Sequence, residues 1–308
     1  MTNPALPNDP LWPRAGAWLE PASSLDTERL RQADLALLGV PACRSSITPT
    51  GAQATPGAVR AALMRYSTWA GAQDVDVSRL RAVDLGDVED PDDHEGEARV
   101  SAAAARAATA CKLLMAIGGD NSITFPLARG LFGPQLAECG LVTIDAHHDL
   151  RDGVTNGSTV RRLIEAGLPG ARIVQVGIAD FSNSASYAAR ARQSGITVIP
   201  RSALRGADPP TIITDALGIA GSDGRPVYVD IDVDVCDRSV APGCPSAAPG
   251  GISADELRQM AFACGRDSRV RGIDITEIDA TIDAPDQRTV RLGALLVLEA
   301  AACLCVRP

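Results

Sequence analysis

Positive charge is in short supply in this chain: 29 lysines and arginines face 38 aspartates and glutamates, a formal net charge of −9 over 308 residues. Nucleic-acid surfaces and polybasic membrane contacts need clustered cations, so neither nucleic acid nor a membrane is expected as a partner. Long apolar runs are missing as well. The most apolar stretch, Leu292 to Val306, is interrupted by Glu299 and is too short to cross a bilayer. No apolar run follows the first basic residue, Arg14, so no signal peptide is expected. The eight cysteines (Cys43, Cys111, Cys139, Cys236, Cys244, Cys264, Cys303 and Cys305) have neither zinc spacing nor the density of a disulfide framework. They read as reduced thiols of a cytoplasmic protein. Gly118-Gly119 is not a phosphate loop, because no Lys-Ser/Thr follows and dinucleotide spacing is lacking.

What the chain does have is 45% hydrophobic and 22% charged residues, the balance of a folded globular protein. With no Gly/Ser-rich linker and no repeat, residues 1–308 read as one domain, and Pro4, Pro7, Pro10, Pro13 and Pro21 make residues 1–30 an arm lying on its body. Apolar runs expected to be buried strands are Asp34–Val40, Ala82–Leu85, Leu113–Ile117, Leu141–Ile144, Ile173–Val176, Thr197–Ile199, Val227–Ile231 and Val270–Ile275. Helical periodicity falls at Gly57–Tyr66, Arg99–Cys111, Thr159–Ala166, Ser186–Ser194, Asp255–Cys264 and Val290–Leu304. Alternating strands and helices, with strands apolar on both sides, predict an α/β fold whose mostly parallel sheet is covered on both faces.

In such sheets chemistry collects beyond the carboxyl ends of the strands. Three motifs sit there: Gly118-Gly119-Asp120-Asn121-Ser122, Asp145-Ala146-His147-His148-Asp149, and Asp230-Ile231-Asp232-Val233-Asp234 with Asp237 beyond. Alternate residues of an extended chain share a face, so Asp145, His147 and Asp149 can converge, as can Asp230, Asp232 and Asp234. So many carboxylates at buried strand ends are costly unless cations neutralise them. Four carboxylates and one imidazole suit two hard to borderline divalent ions, Mn²⁺ first, with Fe²⁺, Co²⁺ or Ni²⁺ also admitted by the donors. His148 should point away from His147, into the core. His94 lies in an acidic stretch, 86–95, that reads as a solvated loop.

In order and spacing these motifs resemble those of the ureohydrolase (arginase/agmatinase) superfamily: Gly-Gly-Asp-His-Ser, Asp-Ala-His-x-Asp, and Ser-x-Asp-x-Asp-x-x-Asp-Pro before a Pro/Gly-rich loop. Here the last block runs from Asp230 to Asp237 and on to Pro242, Pro245 and Gly250-Gly251. The resemblance implies a three-layer α/β/α arginase-like fold, a hydroxide-bridged binuclear metal centre, and assembly as a homo-oligomer, trimer or hexamer. Carried over by position, Asp145 and Asp232 would bridge the ions, Asp149 and Asn121 would complete one, and His147 and Asp234 the other. Asp149 would also orient the nucleophile and shuttle its proton. Glu277 would pair with the substrate's cationic C–N group.

The departures point to a substrate. Position 121 is Asn where arginases and agmatinases have histidine, Asp230 replaces a common serine, and Asn156-Gly157 stands where agmatinases have His-Gly. Asn156 cannot exchange protons near neutral pH. These departures are similar to those of formimidoylglutamases of histidine degradation, which implies hydrolysis of N-formimidoyl-L-glutamate to L-glutamate and formamide. Such a dicarboxylate in an aspartate-rich site requires arginines. Arg151 is the first candidate, followed by Arg161 and Arg44, with Asn156 also placed at the substrate. A guanidino-acid hydrolase releasing urea is the second expectation, and a catalytically silent homologue the third.

Overall fold

A computed structural model describes residues 9–307; Pro4 and Pro7 of the expected arm lie outside these residues. The strands are β1 (Glu20–Pro21), β2 (Ala33–Val40), β3 (Trp69–Ala70), β4 (Val75–Asp76), β5 (Ala82–Asp87), β6 (Cys111–Gly118), β7 (Gly140–Ile144), β8 (Ile173–Ile178), β9 (Thr197–Pro200), β10 (Val227–Asp232) and β11 (Val270–Thr276). The helices are α1 (Thr27–Leu30), α2 (Thr55–Leu63), α3 (Asp93–Ala108), α4 (Thr124–Phe132), α5 (Thr159–Glu165), α6 (Ala185–Gln193), α7 (Pro209–Ala220), α8 (Ala254–Arg266) and α9 (Arg288–Cys305).

Nine strands form one sheet in the order β1-β5-β2-β6-β11-β10-β7-β8-β9, and the pairs are parallel. Alternation along the strands divides the core. Leu35, Leu37, Leu113 and Met115 face α2, α7, α8 and α9, whereas Ala36, Leu38, Leu114 and Ala116 face α3 to α6. Each fully buried Leu, Ile or Val contributes roughly 1.5–3 kcal/mol of burial energy, so this two-sided core makes a rigid platform. The stripe on α9 is core: Val290, Leu296, Val297 and Ala300 are fully buried. Between residues 9 and 30 the chain turns over the body. Its strand β1 pairs with β5, and Trp18 Nε1 donates to the Leu80 carbonyl at 3.0 Å.

Three helices, the single-turn α1 and the longer α4 and α7, were not among those expected from periodicity. Pro126 lies in the first turn of α4 and Pro209-Pro210 open α7; a proline there removes no intrahelical hydrogen bond. Helix α3 starts at Asp93, so His94 belongs to its first turn and not to a loop.

Parallel strands deliver all their carboxyl ends to one edge. There β6, β11, β10 and β7 are neighbours, and register sets Asp232 opposite Thr276 and Ile231 opposite Ile144. The residues that follow these four strands are therefore level with one another.

Candidate metal centre and substrate cavity

A cavity of about 330 Å³ opens over those four strand ends, lined by Asn121, His147, Asp149, Arg151, Asn156, Asp232, Asp234 and Glu277. The loop after β6 owes its position to Gly119, where a Cβ would fall 1.8 Å from the Ala42 carbonyl oxygen. That contact lets Asp120 N donate to Ala42 O at 2.9 Å and Glu277 N donate to Gly119 O at 2.9 Å. Asp149 and Glu277 both have left-handed backbone, φ 52° and 64°. Such residues cost of order 1–3 kcal/mol each, and they turn both carboxylates in over the sheet edge.

One donor atom from each of Asp145, His147 and Asp234 lies within 4.8 Å of the others. His147 Nδ1 is 2.7 Å from Asp234 Oδ2 and 3.6 Å from Asp145 Oδ1. Asp145 Oδ2 is buried without a hydrogen-bond partner, and Asp234 Oδ2 meets the His147 ring nitrogen alone. Backbone amides fix the other oxygens: His147 N donates to Asp145 Oδ1 at 2.6 Å, Ala146 N to Asp234 Oδ1 at 3.0 Å, and Asp234 N to Asp232 Oδ1 at 2.8 Å. Burial, then the charge of Asp234, pushes Asp145 up to about 7. Burial and the surrounding carboxylates move Asp149 and Asp232 well above the usual range. Burial works against a charged His147, yet Asp234 and Asp145 push its imidazole up to about 12. An unpaired oxygen and carboxylates that resist ionisation are what a site for divalent cations looks like without its ions; the donor set fits the group.

Asn121 has a different contact from the one expected. Its amide nitrogen, not its oxygen, faces the carboxylate: Nδ2 donates to Asp149 Oδ2 at 2.5 Å. Its Oδ1 accepts from Thr124 Oγ1 at 2.9 Å and from Thr276 Oγ1 at 3.4 Å. In the metal-free site the two hydroxyls take that oxygen, so ligation through it requires the amide to turn over toward the ion. Asn156 lines the cavity, where Ile47 N donates to its Oδ1 at 3.1 Å and its Nδ2 donates to Glu277 Oε1 at 2.9 Å. Together with Asn121 N at 2.8 Å, it braces Glu277. Burial, then the charge of Asp120, pushes Glu277 up to about 7.

Of the three arginines, only Arg151 lines the cavity. Arg161 is turned into the structure, donating to the carbonyls of Arg151 and Gly153 and to Glu165. Arg44 is outside, its side chain 70% exposed near Asp92. The expectation of substrate contacts for these two is corrected: one guanidinium is spent on a loop and the other faces solvent. His148 points into the core, its Nδ1 2.7 Å from Gln175 Oε1. Asp230, fully buried one turn of the pleat below Asp232, does not line the cavity.

Sequence reading missed Ser182, Asn183, Ser184 and Tyr187, which close one side of the cavity from the loop after β8 and the start of α6. The available signal was their position just past a strand end. A larger hollow of about 490 Å³, beneath Trp12 and Trp69 on α8 and α9, shares no lining residue with this cavity, and its arginine, Arg258, is paired with Glu299.

The model of the arginase family matches residues 33–303. The chain is 35% identical over 286 residues to the formimidoylglutamase of Halalkalibacterium halodurans, covering 88% of this chain and 87% of that protein. The crystal structure of formimidoylglutamase from Bacillus subtilis superposes with a TM-score of 0.91 at 28% identity, over 100% of this chain and 97% of that one. The guanidinopropionase of Pseudomonas aeruginosa is 29% identical over 96% of this chain and 92% of its own length.

Proposed function

Because the chain belongs to the arginase family, we propose that it hydrolyses the amidine C–N bond of N-formimidoyl-L-glutamate, giving L-glutamate and formamide. The observation that carries the reading is the pairing of opposite chemistries in one cavity: a buried carboxylate, Glu277, for the amidinium and a guanidinium, Arg151, for a carboxylate. The two formimidoylglutamases, each matched over most of its length, support the same substrate.

Asp145, His147, Asp149, Asp232 and Asp234 would hold two divalent cations, Mn²⁺ before Fe²⁺, Co²⁺ or Ni²⁺, an assignment supported by the unpaired Oδ2 of Asp145 and by the convergence of Asp145, His147 and Asp234. When bound, such ions make water acidic enough to yield a nucleophile near neutral pH. Glu277 holds the amidinium with its carbon over the carboxylate cluster, braced by the Asn121 amide and Asn156. Asp149, aimed by the Asn121 amide, takes the proton from the attacking water and passes it to the departing nitrogen. As the C–N bond breaks, the oxygen stays with the one-carbon fragment as formamide and the amine leaves as glutamate. Arg151 binds a carboxylate of the substrate at the cavity wall.

This reaction belongs to histidine degradation in the cytoplasm. All eight cysteines are free thiols, which supports a reducing compartment. Among the described residues no helix is long and apolar enough to cross a membrane. Half-exposed Trp12 and Trp69 beside the larger hollow support a homo-oligomer. The test is product formation by Mn²⁺-loaded protein on formimidoylglutamate, guanidinobutyrate, agmatine and arginine in parallel. Formamide and glutamate from the first alone are expected. Urea from a guanidino compound would replace the substrate assignment, and metal-loaded protein inert on all four would favour the silent homologue.

A further inference from the structure

We propose that Tyr187, in the first turn of α6, is a positioning residue for specificity that holds the Arg151 guanidinium open toward a substrate carboxylate. The inference rests on the acidic-amidine reading above and deepens it.

Arg151 has no hydrogen bond or ion pair to its guanidinium among the described residues; its contact is with a ring, its Cζ 6.0 Å from the Tyr187 centroid. The same ring has the Arg190 guanidinium carbon at 5.7 Å. Residues three apart lie on one helical face, so Tyr187 and Arg190 work together. Arg190 donates to the Leu150 carbonyl at 2.6 Å and to Asp152 Oδ1 at 2.8 Å, holding the backbone before Arg151 and the side chain after it. Tyr187 meets the side chain that projects between those two anchors. From the opposite direction Arg151 N donates to Gly157 O at 2.9 Å, and a Cβ on Gly157 would come within 2.9 Å of Arg151 Cδ. The arginine is thus seated between a glycine and an aromatic ring. The helix that carries the ring is capped by Ser184 Oγ, which accepts from Tyr187 N at 3.2 Å.

The choice of partner is the chemical point. An acidic partner would hold this arginine by occupying its N–H fork and would compete with the substrate. An aromatic face attracts the cation through its quadrupole and leaves the N–H groups free for bidentate binding of a carboxylate. Arg161 shows the contrast, with its fork spent on two carbonyls and Glu165.

The test is a double-mutant cycle in the full, Mn²⁺-loaded chain with Tyr187→Leu, Tyr187→Phe, Arg151→Ala and the Tyr187→Leu/Arg151→Ala pair. It reads KM and kcat on formimidoylglutamate and, by calorimetry, Kd for L-glutamate. Tyr187→Leu is expected to raise KM and Kd by about 3- to 30-fold with kcat within about twofold, Tyr187→Phe to match wild type, and Tyr187→Leu to add nothing once Arg151 is Ala. An unchanged KM and Kd, a Phe variant as impaired as Leu, or a loss that persists without Arg151 would each overturn the assignment. Wild type that turns over the substrate without this coupling overturns Tyr187 alone. Wild type without turnover overturns the substrate reading, and the cycle on L-glutamate binding still decides Tyr187.

Discussion

Asn121 points its amide N–H at Asp149, Nδ2 to Oδ2 at 2.5 Å, while the Thr124 hydroxyl at 2.9 Å holds the other end of the amide. The amide is locked from behind, so it fixes the direction in which Asp149 presents its free oxygen. A hydrogen bond to a charged group is worth about 1.5–3 kcal/mol, which sets the expected effect: Asn121→Ala loses about 10- to 100-fold in kcat with two ions still bound. Steady-state kinetics beside metal analysis checks this. Metal content falling in step with kcat would make Asn121 a ligand after all. Asp149→Asn, which removes the proton acceptor itself, is expected to lose about 10²- to 10⁴-fold.

Arg151→Ala is expected to raise KM for formimidoylglutamate by about 10- to 100-fold and leave kcat within a few-fold, because its guanidinium binds away from the bond that breaks. Lysine should rescue poorly, since a point charge cannot reproduce the planar fork. Arg161→Ala, by contrast, loosens a loop and should act mainly on stability. Equal kcat losses in the Arg151 and Arg161 variants would refute the distinction.

Glu277 must be ionised to pair with an amidinium, and burial together with the charge of Asp120 pushes it up to about 7. That value belongs to the metal-free site; cations held by the neighbouring carboxylates draw it down, so kcat/KM is expected to rise with pH along an acidic limb below about 7. In Glu277→Gln the limb should vanish and KM should increase by about tenfold or more. A pH profile that keeps its acidic limb in the Gln variant would assign that limb to another group.

Metal removal should invert the usual dependence of stability on pH. In the metal-free protein Asp145 and Glu277 are both pushed up to about 7, and Asp149 and Asp232 also move well up, burial being the first cause in each. Between the ordinary carboxylate value of about 4 and about 7, the folded chain then holds more protons than the unfolded one. Unfolding free energy therefore falls as pH rises, and His147, pushed up to about 12, adds the same sign above its ordinary value. Calorimetry of chelated protein should give a higher Tm at pH 5 than at pH 8, with Mn²⁺ raising Tm more at pH 8. A metal-free Tm that climbs over this interval would contradict the assignment.

The sheet was legible because it follows from local periodicity. Apolar runs marked the eight long strands and hence the strand ends that carry the acidic residues, but alternation does not run through 145–149: β7 stops at Ile144, and Asp149 enters on left-handed backbone. Helices α4 and α7 were obscured by prolines that a first turn tolerates. Side-chain partners were the harder part. Arg161 looked free, although Glu165 four residues on was a readable ion-pair signal. The engaged oxygen of Asn121 and the ring of Tyr187 beside Arg151 depend on segments brought together only by folding.

Asp149 and Glu277 occupy backbone that glycine would enter without penalty. Replacing either by glycine would relax the chain and erase the carboxylate in the same stroke. Heat tolerance and turnover therefore pull these two codons in opposite directions. A library of variants screened for heat tolerance alone would be expected to accumulate glycine there, and its most durable survivors would be the ones that had stopped working.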